Sequence, residues 1–143
     1  MAVVTEEFIE DVIRTGSLAQ AAERTRRGAA HPRSGAQWDK LSTWSLICEE
    51  ILDTEDTPQW YDAVVGELLR RGFSYEQLNQ MRRFAWRTAG WLNYDKMLWD
   101  WVSLDEDDIH RALDWQLRDG LITATQHARS LAYLSDPTRS SPP

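Results

Sequence analysis

This chain of 143 residues is predicted to be all-α: a compact irregular or orthogonal bundle of seven to eight helices, with no sheet. Three observations predict it. Helix-capping signatures recur along the chain, and the apolar residues between them fall at helical spacing. No run of about four to eight residues alternates apolar and polar between turn signals, as a half-buried strand would. The helices are too unequal in length for a four-helix up-and-down bundle with matched heptads.

The elements follow in order. Thr5 caps a helix over 6–15 whose first turn carries Glu6 and Glu7, with Val4 and Ile9 placed as a hydrophobic staple. Ser17 and Gln20 have capping-box spacing and open a helix over 18–27; Ser74/Gln77, Ser103/Glu106 and Thr123/Gln126 repeat the signature. Thr57-Pro58 places proline at a first helical position, where its missing N–H is harmless. Gly16, Gly28, Gly72, Gly90 and Gly120 stand where a left-handed C-terminal residue is wanted. Further helices are therefore expected over 37–53, 58–71, 75–89, 94–102, 104–119 and 124–134. Residues 29–35 read as a loop, and residues 135–143 as a polar Pro/Ser tail expected to be disordered after a single domain over 1–134.

Apolar stripes sort the core. Leu41, Trp44, Cys48 and Ile51 form one; Tyr61, Val64, Val65 and Leu68 a second; Ile109, Ala112, Leu113 and Leu117 a third. Tyr94, Met97, Leu98 and Trp101 would form a fourth. The chain holds eight tryptophans, each a large apolar ring with one N–H to satisfy, suited to a core or to a recognition surface.

Several of these residues are left over once the stripes are assigned. Trp91, Asp95 and Trp99 are spaced by four along one helical side, and Trp115 falls off the Leu113/Leu117 stripe beside Asp108, Arg111 and Arg118. Arg111, one turn before Trp115, is expected to lie over its indole. Indole rimmed by charge is the composition of interface hot spots, so Trp91, Asp95, Trp99, Arg111 and Trp115 are the expected partner-binding residues.

The net charge of −7 and pI near 4.9 argue against broad affinity for phosphate backbones or anionic lipid. Residues 1–35 hold five Arg and five Asp/Glu, whereas residues 36–143 carry the whole excess of acid, with clusters at Glu49, Glu50, Asp53, Glu55, Asp56 and at Asp105 to Asp108. A protein partner is expected, basic by charge complementarity, or else a second copy of the chain. The opening MAVVTEEF has neither the basic start nor the apolar run of a signal peptide, and no stretch is long and apolar enough to span a bilayer. A cytoplasmic protein with no membrane attachment is expected.

Catalytic signatures are missing. There is no Gly-rich phosphate loop, no Gly-x-Ser-x-Gly elbow and no His-Glu-x-x-His. The single cysteine, Cys48, sits between Trp44 and Ile51 as an inert core residue would, and rules out a cysteine-based zinc site. Glu106 and Asp107 precede His110 at metal-ligand spacing, but a first helical turn favours acids by its dipole alone, and no second Glu-x-x-His exists. No enzyme activity, cofactor or metal is therefore expected; a helical small-ligand or cofactor binder is an alternative.

The stretch Phe8-Ile-Glu-Asp-Val-Ile-Arg-Thr-Gly-Ser-Leu-Ala-Gln-Ala-Ala-Glu-Arg-Thr25 resembles the first two helices of LysR-type helix-turn-helix regulators. The resemblance implies DNA binding through a recognition helix beginning near Arg26, where this chain instead reads as a loop. Arg24, Arg26, Arg27 and Arg33 would be the phosphate-contacting residues of that alternative.

Overall fold

The computed structural model describes residues 2–28, 40–52, 57–97 and 103–143. All the regular structure among them is helical. The α-helices are α1 (Glu6–Thr15), α2 (Ser17–Arg26), α3 (Thr43–Ile47), α4 (Pro58–Arg70), α5 (Tyr75–Ala85), α6 (Glu106–Arg118) and α7 (Ala124–Ser135). A 3₁₀ turn (Cys48–Ile51) extends α3, and a π-helical segment (Trp86–Asp95) extends α5. Six of the α-helices have ten residues or more, against the seven to eight helices expected.

The helix ends follow local chemistry closely. Thr5 Oγ1 accepts from Phe8 N at 3.1 Å, and Ser74/Gln77 and Thr123/Gln126 both close as reciprocal capping boxes. Gly28, Gly72 and Gly120 are left-handed at φ +83°, +95° and +73°, a conformation that side chains resist. Two expected boxes differ. On α6 the box is Asp105/Asp108 rather than Ser103/Glu106, and Glu106 instead accepts from Ser42 Oγ at 2.8 Å. On α2, Gly16 is the N-cap and offers no side chain, Ser17 being the first helical residue. The missing acceptor arrives through tertiary structure: Glu50 Oε2 takes the Leu18 N–H at 3.2 Å.

The helix expected over 37–53 begins, among the described residues, only at Thr43, and tightens to 3₁₀ at Cys48. That tightening turns Glu49 and Glu50 inward, so they do not belong to a solvated acidic cluster. Glu49 accepts from Trp60 Nε1 at 3.0 Å, and Glu50 is bound to Arg82. Around them Ile9, Ile13, Leu46, Ile47, Val64, Leu68, Met81 and Ile109 make one continuous core. Trp44 lies in it as expected, within 5.4 Å of Phe84 and 5.9 Å of Tyr133 between ring centroids, with its N–H donated to Leu134 O at 2.9 Å.

The largest departure lies after α5. Gly90 does not end a helix; the chain continues through it in π conformation to Asp95. A Cβ at Gly90 would stand 2.7 Å from Trp86 Cε3, so glycine there serves close packing rather than a turn. Thr88 Oγ1 donates to Phe84 O at 2.8 Å. The segment stops at Lys96, and Met97 follows in the left-handed region at φ 58°, 66% exposed. The stripe expected of Tyr94, Met97, Leu98 and Trp101 therefore fails at Met97. Leu98 and Trp101 lie outside the described residues. Tyr94 packs by stacking on Trp86, centroids 6.1 Å apart. After α7, the Asp136 carboxylate accepts from Thr138 N and Arg139 N at 3.2 Å each and shapes a turn in the tail.

Candidate protein-interaction face

The π segment and α6 lie against each other, and their outer sides bring Trp91 and Trp115 together. The two half-buried indoles meet edge to face, centroids 5.9 Å apart at 85°. Trp115 Nε1 donates to Asp119 Oδ2 at 3.0 Å, a bond along α6 from i to i+4 that fixes the ring against the helix end. Lys96 Nζ sits 5.3 Å from both ring centroids, and Arg118 Cζ is 5.5 Å from that of Trp115. Exposed pairs of this kind contribute about 0.5–1 kcal/mol each.

Lys96 was not legible as a member of this face. At α-helical spacing, position i+5 points away from i. In π geometry the bond runs from i to i+5, and Lys96 N indeed donates to Trp91 O at 3.1 Å. That closure carries the ammonium back over the Trp91 ring.

The other expected members fare differently. Arg111 does not cover Trp115: its Nη1 reaches toward Asp108 Oδ1 at 3.9 Å, and the cations over the indole are Lys96 and Arg118. Asp95 is occupied elsewhere, accepting from the backbone N–H groups of Val3 and of Val4, the latter at 3.1 Å, and so holding the segment that leads into α1. Trp99 lies outside the described residues. Met97 next to Lys96, and Leu121 just beyond α6, are two of the large apolar side chains exposed most, at 66% and 59%.

The arginines of the nucleic-acid alternative are largely committed. Arg24 Nε binds Asp62 Oδ1 at 2.8 Å, Arg27 Nε binds Glu23 Oε1 at 2.9 Å, and Arg26 stacks over Tyr75 at 4.3 Å. Arg33 and the residues of the expected recognition helix from 29 onward lie outside the described residues. Arg24 and Arg26 line a cleft of about 790 Å³ between α2 and α5, whose other arginines, Arg14, Arg82 and Arg83, are each paired with a carboxylate.

Cys48 is fully buried, and that burial, reinforced by Asp108 and Glu49, pushes its thiol well above the usual range, which suits packing rather than nucleophilic attack. His110 pairs with Asp114 at 3.1 Å rather than with Glu106 or Asp107, and His127 Nε2 meets the other Asp114 oxygen at 2.8 Å. The His127 hydrogen bond holds the Asp114 carboxyl below its ordinary range. Among the described residues no group of three or more His, Cys, Asp or Glu is placed to hold a metal ion, and no helix is long and apolar enough to cross a membrane. The chain matches no protein-family model, no curated protein and no solved structure.

Proposed function

We propose that this protein is a non-catalytic interaction module that binds a protein partner through the Trp91–Trp115 face. The observation that carries this reading is the edge-to-face indole pair held at the surface under Lys96, with Arg118 and Asp119 at its rim. Tryptophan and arginine dominate interface hot spots because they combine large contact area with directional polar groups. Met97 and Leu121 add apolar area close by in the chain. The net charge of −7 favours encounter with a basic partner.

The test is site-directed photo-crosslinking in the producing cell, with the photoreactive residue at Arg118 on the rim or at Arg129 on α7. Discrete adducts from position 118, absent from position 129 and lost on Trp91→Ala, support the reading. Equal adducts from both positions, or none from 118, overturn it. A DNA-binding role has less support, because Arg24 and Arg27 are already ion-paired. Mobility-shift titration on mixed-sequence duplex at about 150 mM salt is expected to give no complex at micromolar protein.

A further inference from the structure

On the opposite side of α6 from Trp115, a pocket of about 420 Å³ opens where α5 and the π segment meet α6 and α7. Phe84 and Leu113, both buried, supply apolar walls. Two of its neutral polar side chains, Ser130 and Gln116, keep unused hydrogen-bonding capacity. Ser130 is only 5% exposed and lines the pocket, yet its hydroxyl makes no hydrogen bond. Gln116, 8% exposed, donates through Nε2 to Arg87 O at 2.9 Å, which leaves its carbonyl oxygen Oε1 as a second unpartnered group lining the pocket. Neither atom is sealed from solvent, so both are open to a ligand that enters the pocket.

The two charged side chains among the lining residues cancel. Arg87 and Glu6 form a two-point ion pair, with Nη2–Oε2 at 2.8 Å and Nε–Oε1 at 2.9 Å. Hydrogen bonding to Glu6 holds the Arg87 guanidinium firmly charged. No free side-chain cation therefore remains among these lining residues to reward an anion.

We propose that this pocket binds a small neutral ligand that joins an apolar ring or branched body to a primary or secondary amide. The amide carbonyl accepts from Ser130 Oγ, its N–H donates to Gln116 Oε1, and the apolar body rests between Phe84 and Leu113. The volume lies within the range of small-molecule sites, and the combination of apolar walls with a few convergent polar groups is their usual composition. The site is separate from the Trp91–Trp115 face and does not depend on it.

Benzamide is a suitable probe, with benzoate and toluene as the charged and apolar controls. Titrations of the ¹H–¹⁵N spectrum of the full chain are expected to give benzamide a dissociation constant on the order of 1 mM, as its few heavy atoms allow. Shifts should centre on Thr88, Gln116 and Ser130, with intermolecular NOEs to Phe84 and Leu113. Benzamide should bind at least about 5-fold more tightly than either control. Ser130→Ala should weaken it by about 2- to 10-fold, the effect of one hydrogen bond, while leaving toluene unchanged. No saturable shifts at about 10 mM benzamide would overturn the proposal. So would toluene or benzoate binding as well as benzamide, or Ser130→Ala binding benzamide as tightly as the parent.

Discussion

Arg82 and Glu50 form a two-point ion pair at 2.6 and 3.0 Å with both side chains 2% exposed, and each also serves a different helix end. Arg82 donates to the carbonyls of Val12 at 2.9 Å and Ile13 at 3.0 Å, in the last turn of α1. Glu50 accepts from Leu18 N in the first turn of α2 and from Trp86 Nε1 at 3.2 Å. A cation at a helix C-terminus and an anion at a helix N-terminus each complement the local dipole. One pair thus satisfies both sides of the Gly16 junction. A Cβ at Gly16 would stand 2.6 Å from Val12 O and 3.0 Å from Glu50 Oε2, so the junction is also close-packed.

Removing one member should cost far more than a surface pair would. Glu50→Gln leaves the Arg82 guanidinium buried without a counter-charge, and a loss of about 3–5 kcal/mol is expected. Urea unfolding followed by tryptophan fluorescence measures it. Glu10→Gln removes the more exposed member of the Arg83 pair and should lower stability far less than Glu50→Gln does.

The tryptophans should divide by position. Trp44→Ala empties a core site and breaks the Leu134 hydrogen bond, for an expected loss of about 3–5 kcal/mol. Trp115→Ala should cost about 1–2 kcal/mol, because the ring is half-buried and its edge-to-face contact with Trp91 adds about 0.5–1.5 kcal/mol. Thermal and urea unfolding of the two variants side by side checks the ordering.

Gly90→Ala should destabilise despite alanine's better helix propensity. Its Cβ would collide with the Trp86 ring, itself packed on Tyr94 and Phe8. Overpacking of this kind costs about 1–3 kcal/mol. An unchanged or raised melting temperature would show that the π segment yields readily.

Cys48 gives a pH-dependent prediction. Its folded-state pKa is raised, so the folded chain holds this proton more tightly than the unfolded one. The stability linked to it is fully present below the unfolded value of about 8.5 and declines as pH rises above that. Cys48→Ala should flatten this alkaline decline. In the parent chain at pH 8, a thiol-specific disulfide reagent should label almost nothing until urea is added.

Most helix boundaries were decided locally and were legible for that reason. The Thr5, Ser74 and Thr123 caps and the left-handed Gly28, Gly72 and Gly120 each depend on residues within a few positions, and the stripes through Trp44, Val64 and Ile109 follow from helical period alone. What misled at Gly90 was the same local rule, since a glycine demanded by close packing and one demanded by a turn look alike in sequence. The cation over Trp91 escaped for a related reason: the π closure moved Lys96 to a side that α-helical spacing assigns elsewhere.

The amino-acid sequence by itself thus determined the helical class, most helix ends and much of the core, because caps, glycine dihedrals and apolar periodicity act over a turn or two of chain. Only tertiary structure decided which polar groups meet. Leu18 N is capped by Glu50, thirty-two residues away, Trp91 faces Trp115, and Gln116 Nε2 donates to Arg87 O. Those pairings are long-range because a buried charge or hydroxyl takes its partner from whichever helix packing brings within reach, at any distance along the chain.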